Sequence, residues 1–301
     1  MNREKLLLVG DNPFHGISHL SQERATSRGD DLANPSHAAE LVRTSLENGA
    51  DGFMFTVSET TLSILQIISE GEEHNKLQLY AIVPYAYEFV RRAALAGGVA
   101  GLALQLARQI TLSGNLKVMV HGLKGVVTAD PASLLRSYLC YEAFRLKSSA
   151  GKKAIVASIL LHEVVTDMAL AFNMEWLFKT HIEFMLHHRI KPGFETRNFA
   201  YLAKKFEQWG IDFHKVVIAA PFNPLGFQMC PSREECEKAL ERIPEAEVIA
   251  FSILAAGYLK LPQAIEYVAK SPNLKGLAVG ISKEQHARET FKFIRLRLNK
   301  D

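Results

Sequence analysis

Several side chains able to carry chemistry follow directly on apolar runs. Asp11, Asn12, His15 and His19 come within ten residues of the run LLLVG, in the stretch DNPFHGISHL. His162 and Glu163 end the run SILL, and Glu195 stands close to Arg197 and Asn198 after another short run. Imidazole and carboxyl groups move protons near neutral pH, so His162, His15, Glu195 and Glu163 are the candidates for acid–base catalysis. Two histidines and a carboxylate, His15, His162 and Glu195, are also a donor set for a divalent metal, although their scattered spacing is not diagnostic. Asp11, Asn12, Glu59, Tyr85, Arg197 and Asn223 fall in equivalent places and suit contacts to a substrate. In GISKEQHARETF, Gly280, Ser282, Lys283 and Arg288 open a helix, whose free N–H groups and dipole attract anions, so they are candidates for binding a phosphate or a cofactor. Each group has a plainer alternative. Asp11 and Asn12 before Pro13 suit any turn, His162 can cap a core, Glu195 with Arg197 can be a surface ion pair, and GISKEQ can be an ordinary helix start.

The apolar runs must position these groups. Runs rich in Val, Ile, Leu and Phe recur at 5–9, 52–56, 78–83, 154–160, 190–195, 215–220, 247–252 and 275–280. Helical patterns with readable ends follow most of them. Asn34 then Pro35 opens one helix and Gly49 closes it, Asp130 then Pro131 opens another, and Gly71 and Gly210 fall just past two more. Ser232 with Glu235, and Ser282 with Gln285, have capping-box spacing. Eight near-continuous apolar strands, each leading to a helix, predict an α/β fold, the (β/α)8 TIM barrel, as one domain over 1–301. A doubly wound open sheet is the alternative. Residues 86–150 exceed one βα unit: helical patterns at 86–111 and 131–148 flank a stretch, 117–127, that reads as a strand or hairpin. A helical insertion between strands 3 and 4 is therefore expected. His162 and Glu163 cannot both point inward if strand 4 runs through them, unless Glu163 begins a helix. Catalytic groups of such barrels lie at the C-terminal ends of the strands, where Ser58, Tyr87 and Lys283 also fall. The loop carrying DNPFHGISHL runs for roughly two dozen residues, which suits a lid or binding loop.

Composition narrows the function classes. Apolar residues at 48% allow a sizeable core, and 35 basic against 32 acidic residues, interspersed, leave no block to track a phosphate backbone, so nucleic acid is not expected. Cys140, Cys230 and Cys236 are far apart with no CxxC, as in reduced cytosolic thiols, and the first apolar run is too short for a signal peptide. A cytoplasmic location is expected. The uncharged stretch 93–107 is shorter than a membrane span and is bracketed by arginines; Gly97, Gly98 and Gly101 suit close helix packing or a subunit interface, compatible with a homo-oligomer.

The second half of the chain resembles the aldo-keto reductase superfamily of barrels. GISKEQHARET is similar to that family's last βα loop, G-A-S-S-P-E-Q-L-R-E-N, with Gly280, Ser282, Arg288 and Glu289 agreeing without gaps. APFNPLG at 220–226 is similar to V-P-Y-N-P-L, AFSILAAG at 250–257 to A-Y-S-P-L-A-x-G, TRNF at 196–199 to V-S-N-F, and LLHE ends strand 4 as L-L-H does there. In order, these cover about residues 154–294. The resemblance implies a barrel that grips the adenosine phosphate of NADPH with its last loop and reduces carbonyls with a Tyr proton donor tuned by Lys, beside Asp and His. Of those four only His162 is present. FMFTVSET lacks the Asp and Tyr, Pro84 stands where the Lys is expected, Arg197 where a Ser holds the nicotinamide amide, and Ala219 where a Gln does. No strand ends in Lys, against a Schiff-base aldolase. These departures rank first an enzyme of lyase, isomerase or hydrolase type, acting on a small anionic metabolite, phosphorylated or carboxylated, by acid–base or metal-assisted chemistry. An NADPH-dependent oxidoreductase ranks second and a non-catalytic binding or assembly protein third. The cofactor stays open between a divalent metal and NADPH.

Overall fold

A computed structural model describes residues 4–15, 34–71, 77–85, 95, 130–152 and 154–298, with His15 described by its backbone alone. Eight parallel strands close into a barrel in chain order: β1 (Leu6–Gly10), β2 (Gly52–Thr56), β3 (Gln78–Val83), β4 (Ile155–Leu161), β5 (Lys191–Glu195), β6 (Val217–Pro221), β7 (Glu247–Phe251) and β8 (Leu274–Gly280). Closure comes from β1 lying along β8, Leu6 opposite Gly276 through Gly10 opposite Gly280. All eight expected strands are present.

Nine α-helices are described: α1 (Pro35–Glu47), α2 (Glu59–Ser69), α3 (Pro131–Ala150), α4 (Glu163–Ala171), α5 (Glu175–His187), α6 (Phe199–Gln208), α7 (Arg233–Arg242), α8 (Leu261–Ala269) and α9 (Glu284–Leu298). Their starts are set by side chains that satisfy otherwise unpaired N–H groups. Asn34 accepts from Ser36 ahead of Pro35, Asp130 accepts from Ala132 and Ser133 ahead of Pro131, and Ser58 and Thr61 form a reciprocal box on α2. Ser232 accepts from the Glu235 N–H at 3.2 Å. The box expected at Ser282 does not form: the first intrahelical bond of α9 runs from Ala287 to the Lys283 carbonyl, and Gln285 turns instead to Glu289 at 2.8 Å.

Helix α3, the second of the two helical patterns expected there, packs between α2 and α5 in the outer ring and serves as the barrel's own third helix. β3 pairs directly with β4, from Gln78 opposite Ile155 to Val83 opposite Leu161, and the stretch 117–127 lies outside the described residues. Residues 86–94 and 96–129, with most of the uncharged stretch, lie outside the described residues. Among the described residues no helix is long and apolar enough to cross a membrane.

The core has two layers, as the alternation of barrel strands requires. Leu8, Met54, Tyr80, Ile82, Leu160, Val217, Ala219 and Ile249 fill the barrel. A larger cluster lies between barrel and helices, where Phe178 meets Phe194, Phe206 and Trp209 at ring separations of 5.4, 5.5 and 5.2 Å. Each such buried ring stabilises the fold by about 1.5–3 kcal/mol and holds β5 against α5 and α6.

Candidate active site

The C-terminal mouth of the barrel gathers ionisable groups from three strand ends. Asp11, 5% exposed, follows β1, and its Oδ2 accepts the Thr56 N–H at 2.7 Å, tying the top of β1 to that of β2. The chain then makes a short 3-10 turn over Asn12–His15. Phe14 is buried against Phe53 at 6.1 Å, so this part of the first loop is plugged into the rim, and Asn12 is exposed. His19 and Tyr87 lie outside the described residues.

His162 ends β4 and caps α4, which settles the alternation question: Glu163 is the first residue of a helix. The His162 backbone N–H bonds the Val83 carbonyl at 2.8 Å, continuing the sheet, while Nδ1 accepts the Val164 N–H at 3.2 Å. An accepting Nδ1 leaves the ring proton on Nε2 in the neutral form. Burial lowers the pKa of His162, Arg197 lowers it further, and Glu163 and Asp11 oppose both. The ring is therefore a neutral hydrogen-bond donor at physiological pH.

Glu163 closes on Arg197 with two contacts, Arg197 Nε to Oε2 at 2.7 Å and an Nη2 to Oε1 at 2.6 Å. Glu195, the last residue of β5, accepts the Glu163 N–H on Oε2 at 3.2 Å. Burial raises Glu195 to about 8, with the charges of Glu163 and Asp11 adding to the rise and Arg197 opposing it. Its side chain keeps some contact with solvent at the mouth although protein crowds it on most sides. A carboxyl in that state holds its proton at neutral pH.

Asp167 was not among the sequence candidates. Its Oδ2 accepts the Arg197 N–H at 3.1 Å and its Oδ1 the Thr196 hydroxyl, so it fixes the turn that carries Arg197. The signal was available: Asp167 lies four residues after Glu163, on the same face of α4.

Other expected residues stand apart from this cluster. Glu59 is 85% exposed and pairs with Arg145 on α3, which also binds Glu142, so it faces the helix ring. Asn223 is buried, with its amide donating to the Phe227 and Ser252 carbonyls at 2.9 and 3.3 Å and accepting from the Phe227 N–H; it braces the loops after β6 and β7. Tyr85 is half-buried just past β3. Gly280 ends β8 at the mouth, close against Pro13, with Lys283 exposed beyond it and Arg288 paired to Glu284 at 2.5 Å. Of the expected metal set His15, His162 and Glu195, the His15 side chain lies outside the described residues; among the described ones no three His, Cys, Asp or Glu side chains form a metal-binding group.

No protein family matches the chain by sequence, and no curated protein matches it. Solved structures do match. A Pseudomonas aeruginosa protein provisionally named an aldo-keto reductase superposes with a TM-score of 0.61 at 12% identity, over 98% of this chain and 91% of that one. The holo form of aldo-keto reductase AKR11C1 from Bacillus halodurans gives 0.53 at 8% identity, over 99% and 92%. The chain has an aldo-keto reductase-like (β/α)8 barrel fold, along its length and not only over 154–294. These neighbours overturn the ranking of lyase, isomerase or hydrolase chemistry ahead of oxidoreductase chemistry, since both of these matching barrels are named as aldo-keto reductases.

Proposed function

We propose that this protein is a nicotinamide-dependent oxidoreductase of aldo-keto reductase type, acting on a small carbonyl compound that bears a carboxylate or phosphate. The observation that carries the reading is His162, a neutral donor at the end of β4 in the mouth of a reductase-like barrel. The residues after β8 fit the phosphate end of such a cofactor. The N–H groups of Glu284, Gln285 and His286 precede the first intrahelical bond of α9, beside the Ser282 hydroxyl and the Lys283 ammonium. Gly280 and Arg288 complete that set. When bound, the cofactor supplies hydride. At the ring end this chain differs from the family pattern, because Ala219 is apolar and the Arg197 guanidinium is engaged by Glu163. Arg197, 41% exposed in its side chain while paired with Glu163, offers its remaining N–H donors to an anionic substrate.

Calorimetric titration of the purified protein with NADPH and NADH tests the reading, together with consumption of the reduced cofactor on a panel of keto acids and phosphorylated aldehydes. Saturable binding, weakened several-fold in Lys283→Ala, is expected. Failure to bind either cofactor would overturn it.

A further inference from the structure

Alternation along β5 directs Lys191, Gly193 and Glu195 to the barrel interior. Lys191 meets Glu247 at 2.8 Å near the N-terminal end. A Cβ on Gly193 would lie 2.7 Å from Ser158 Oγ and 2.4 Å from Leu160 Cγ, inside the barrel. Glu195 is the next inward position and reaches the mouth. Only its Oε2 is hydrogen-bonded, to the Glu163 N–H; among the described residues Oε1 has no partner.

We propose that Glu195 is the proton donor of this barrel, filling the role for which the chain has neither the tyrosine nor the lysine of the family pattern. This rests on the reading of the site as a reductase. As the carbonyl carbon takes up hydride from the reduced nicotinamide, the C=O π pair moves to oxygen and that oxygen takes the Glu195 proton. A C–H and an alcohol O–H form, the carboxyl O–H breaks, the nicotinamide is oxidised, and water reprotonates the carboxylate. The groups around Glu195 suit this role. Glu163 from α4 and Asp11 after β1 make ionisation unfavourable, and burial does so most strongly, while Arg197 is closed on Glu163. His162 from β4 is neutral, and Asp167 holds the turn carrying Arg197. An acid whose pKa sits near the working pH is a competent donor, and it is most useful when water is scarce around it.

The test uses full-length wild type, Glu195→Gln and Glu195→Asp. Infrared spectra without cofactor should contain a protonated-carboxyl stretch at neutral pH that disappears in Glu195→Gln. NADPH affinity should be unchanged in Glu195→Gln while turnover falls by about 100-fold or more. Wild-type turnover should fall as pH rises through about 8, a limb lost with the carboxyl, and Glu195→Asp should recover part of the rate. Turnover that survives Glu195→Gln, or absence of the carboxyl band, overturns this role alone. Wild-type protein that binds no nicotinamide cofactor overturns the reading of the site, and the role with it.

Discussion

The two ends of the barrel hold the same kinds of side chain in opposite arrangements. At the N-terminal end carboxylates are paired with cations, Glu247 with Lys191 and both Asp51 and Glu4 with Arg295. Glu247 receives Lys191 on one oxygen at 2.8 Å and the Tyr80 hydroxyl on the other at 3.0 Å, while Asp51 receives Arg295 at 2.6 Å and the Leu7 N–H at 2.8 Å. At the mouth, Asp11, Glu163, Asp167 and Glu195 converge, and the guanidinium of Arg197 goes to Glu163. Such pairing fixes charge and braces strands. At the mouth burial, with the charges of Glu163 and Asp11 adding to it, raises the Glu195 carboxyl to about 8, and a proton held there is a reagent rather than a brace.

The sharpest way to break this contrast is Arg295→Ala. Arg295 bonds the Gly49 carbonyl at 3.0 and 2.7 Å, the Lys5 carbonyl at 3.1 Å and Asp51, with only 16% of its side chain exposed. Its loss takes this donor from the Gly49 and Lys5 carbonyls and the cation from Asp51 and Glu4, and frees α9 from the strand starts. Denaturant unfolding should register a loss of about 3 kcal/mol, with ligand binding per folded molecule unchanged. If binding falls in proportion, the two ends are coupled and the contrast fails.

The barrel was legible in the sequence because parallel strands covered on both faces are continuous apolar runs, and GFMFT or KVVIAA can be read without knowing their neighbours. The strand-end rule likewise selected Asp11, His162, Glu163, Glu195 and Arg197. It could not tell Glu59 from Glu195, since both follow strands. Their difference lies in which element stands opposite: Arg145 of α3 draws Glu59 outward, whereas Glu195 ends its strand on an inward position. Helix α3 was legible as a helix from Asp130 and Pro131, but its place in the ring was not, because a helix in the ring and an inserted helix share one amphipathic pattern. Fold-level likeness then reversed the order of chemistries that the missing Tyr and Lys had suggested.

A smaller effect sharpens the contrast through pH. Glu195 is raised from 4.5 to about 8, so between those values the folded state binds more protons than the unfolded one. Its contribution to stability is complete below pH 4.5 and is lost as pH rises toward 8. Allowing for the part of the side chain that meets water, the loss should be about 1–3 kcal/mol. His181 acts in the opposite sense: burial lowers it to about 4, so its contribution is lost as pH falls from 6.5 toward that value. Unfolding curves of wild type and Glu195→Gln across this range isolate Glu195, because His181 is common to both. A wild-type slope that persists in the variant would assign it to other groups.

The smallest effect separates the two ends on a single strand. A Cβ at Gly280 would lie 3.0 Å from Pro13 Cδ and 3.1 Å from Pro13 Cγ, tighter than an ordinary contact. Pro13 belongs to the turn that follows Asp11, and that turn is pinned by Phe14 against Phe53, so relief must come through a small shift of the rim. Gly280→Ala should therefore cost about 1 kcal/mol while altering NADPH affinity several-fold. Gly276, at the other end of β8, supplies the control. Its Cβ would meet the Leu6 carbonyl oxygen at 2.9 Å, a backbone atom that cannot rotate away. Gly276→Ala should cost more stability than Gly280→Ala and leave affinity per folded molecule unchanged, as measured by denaturation and calorimetry on the same samples. Should both variants change affinity alike, the mouth would not be the part of β8 that meets the ligand.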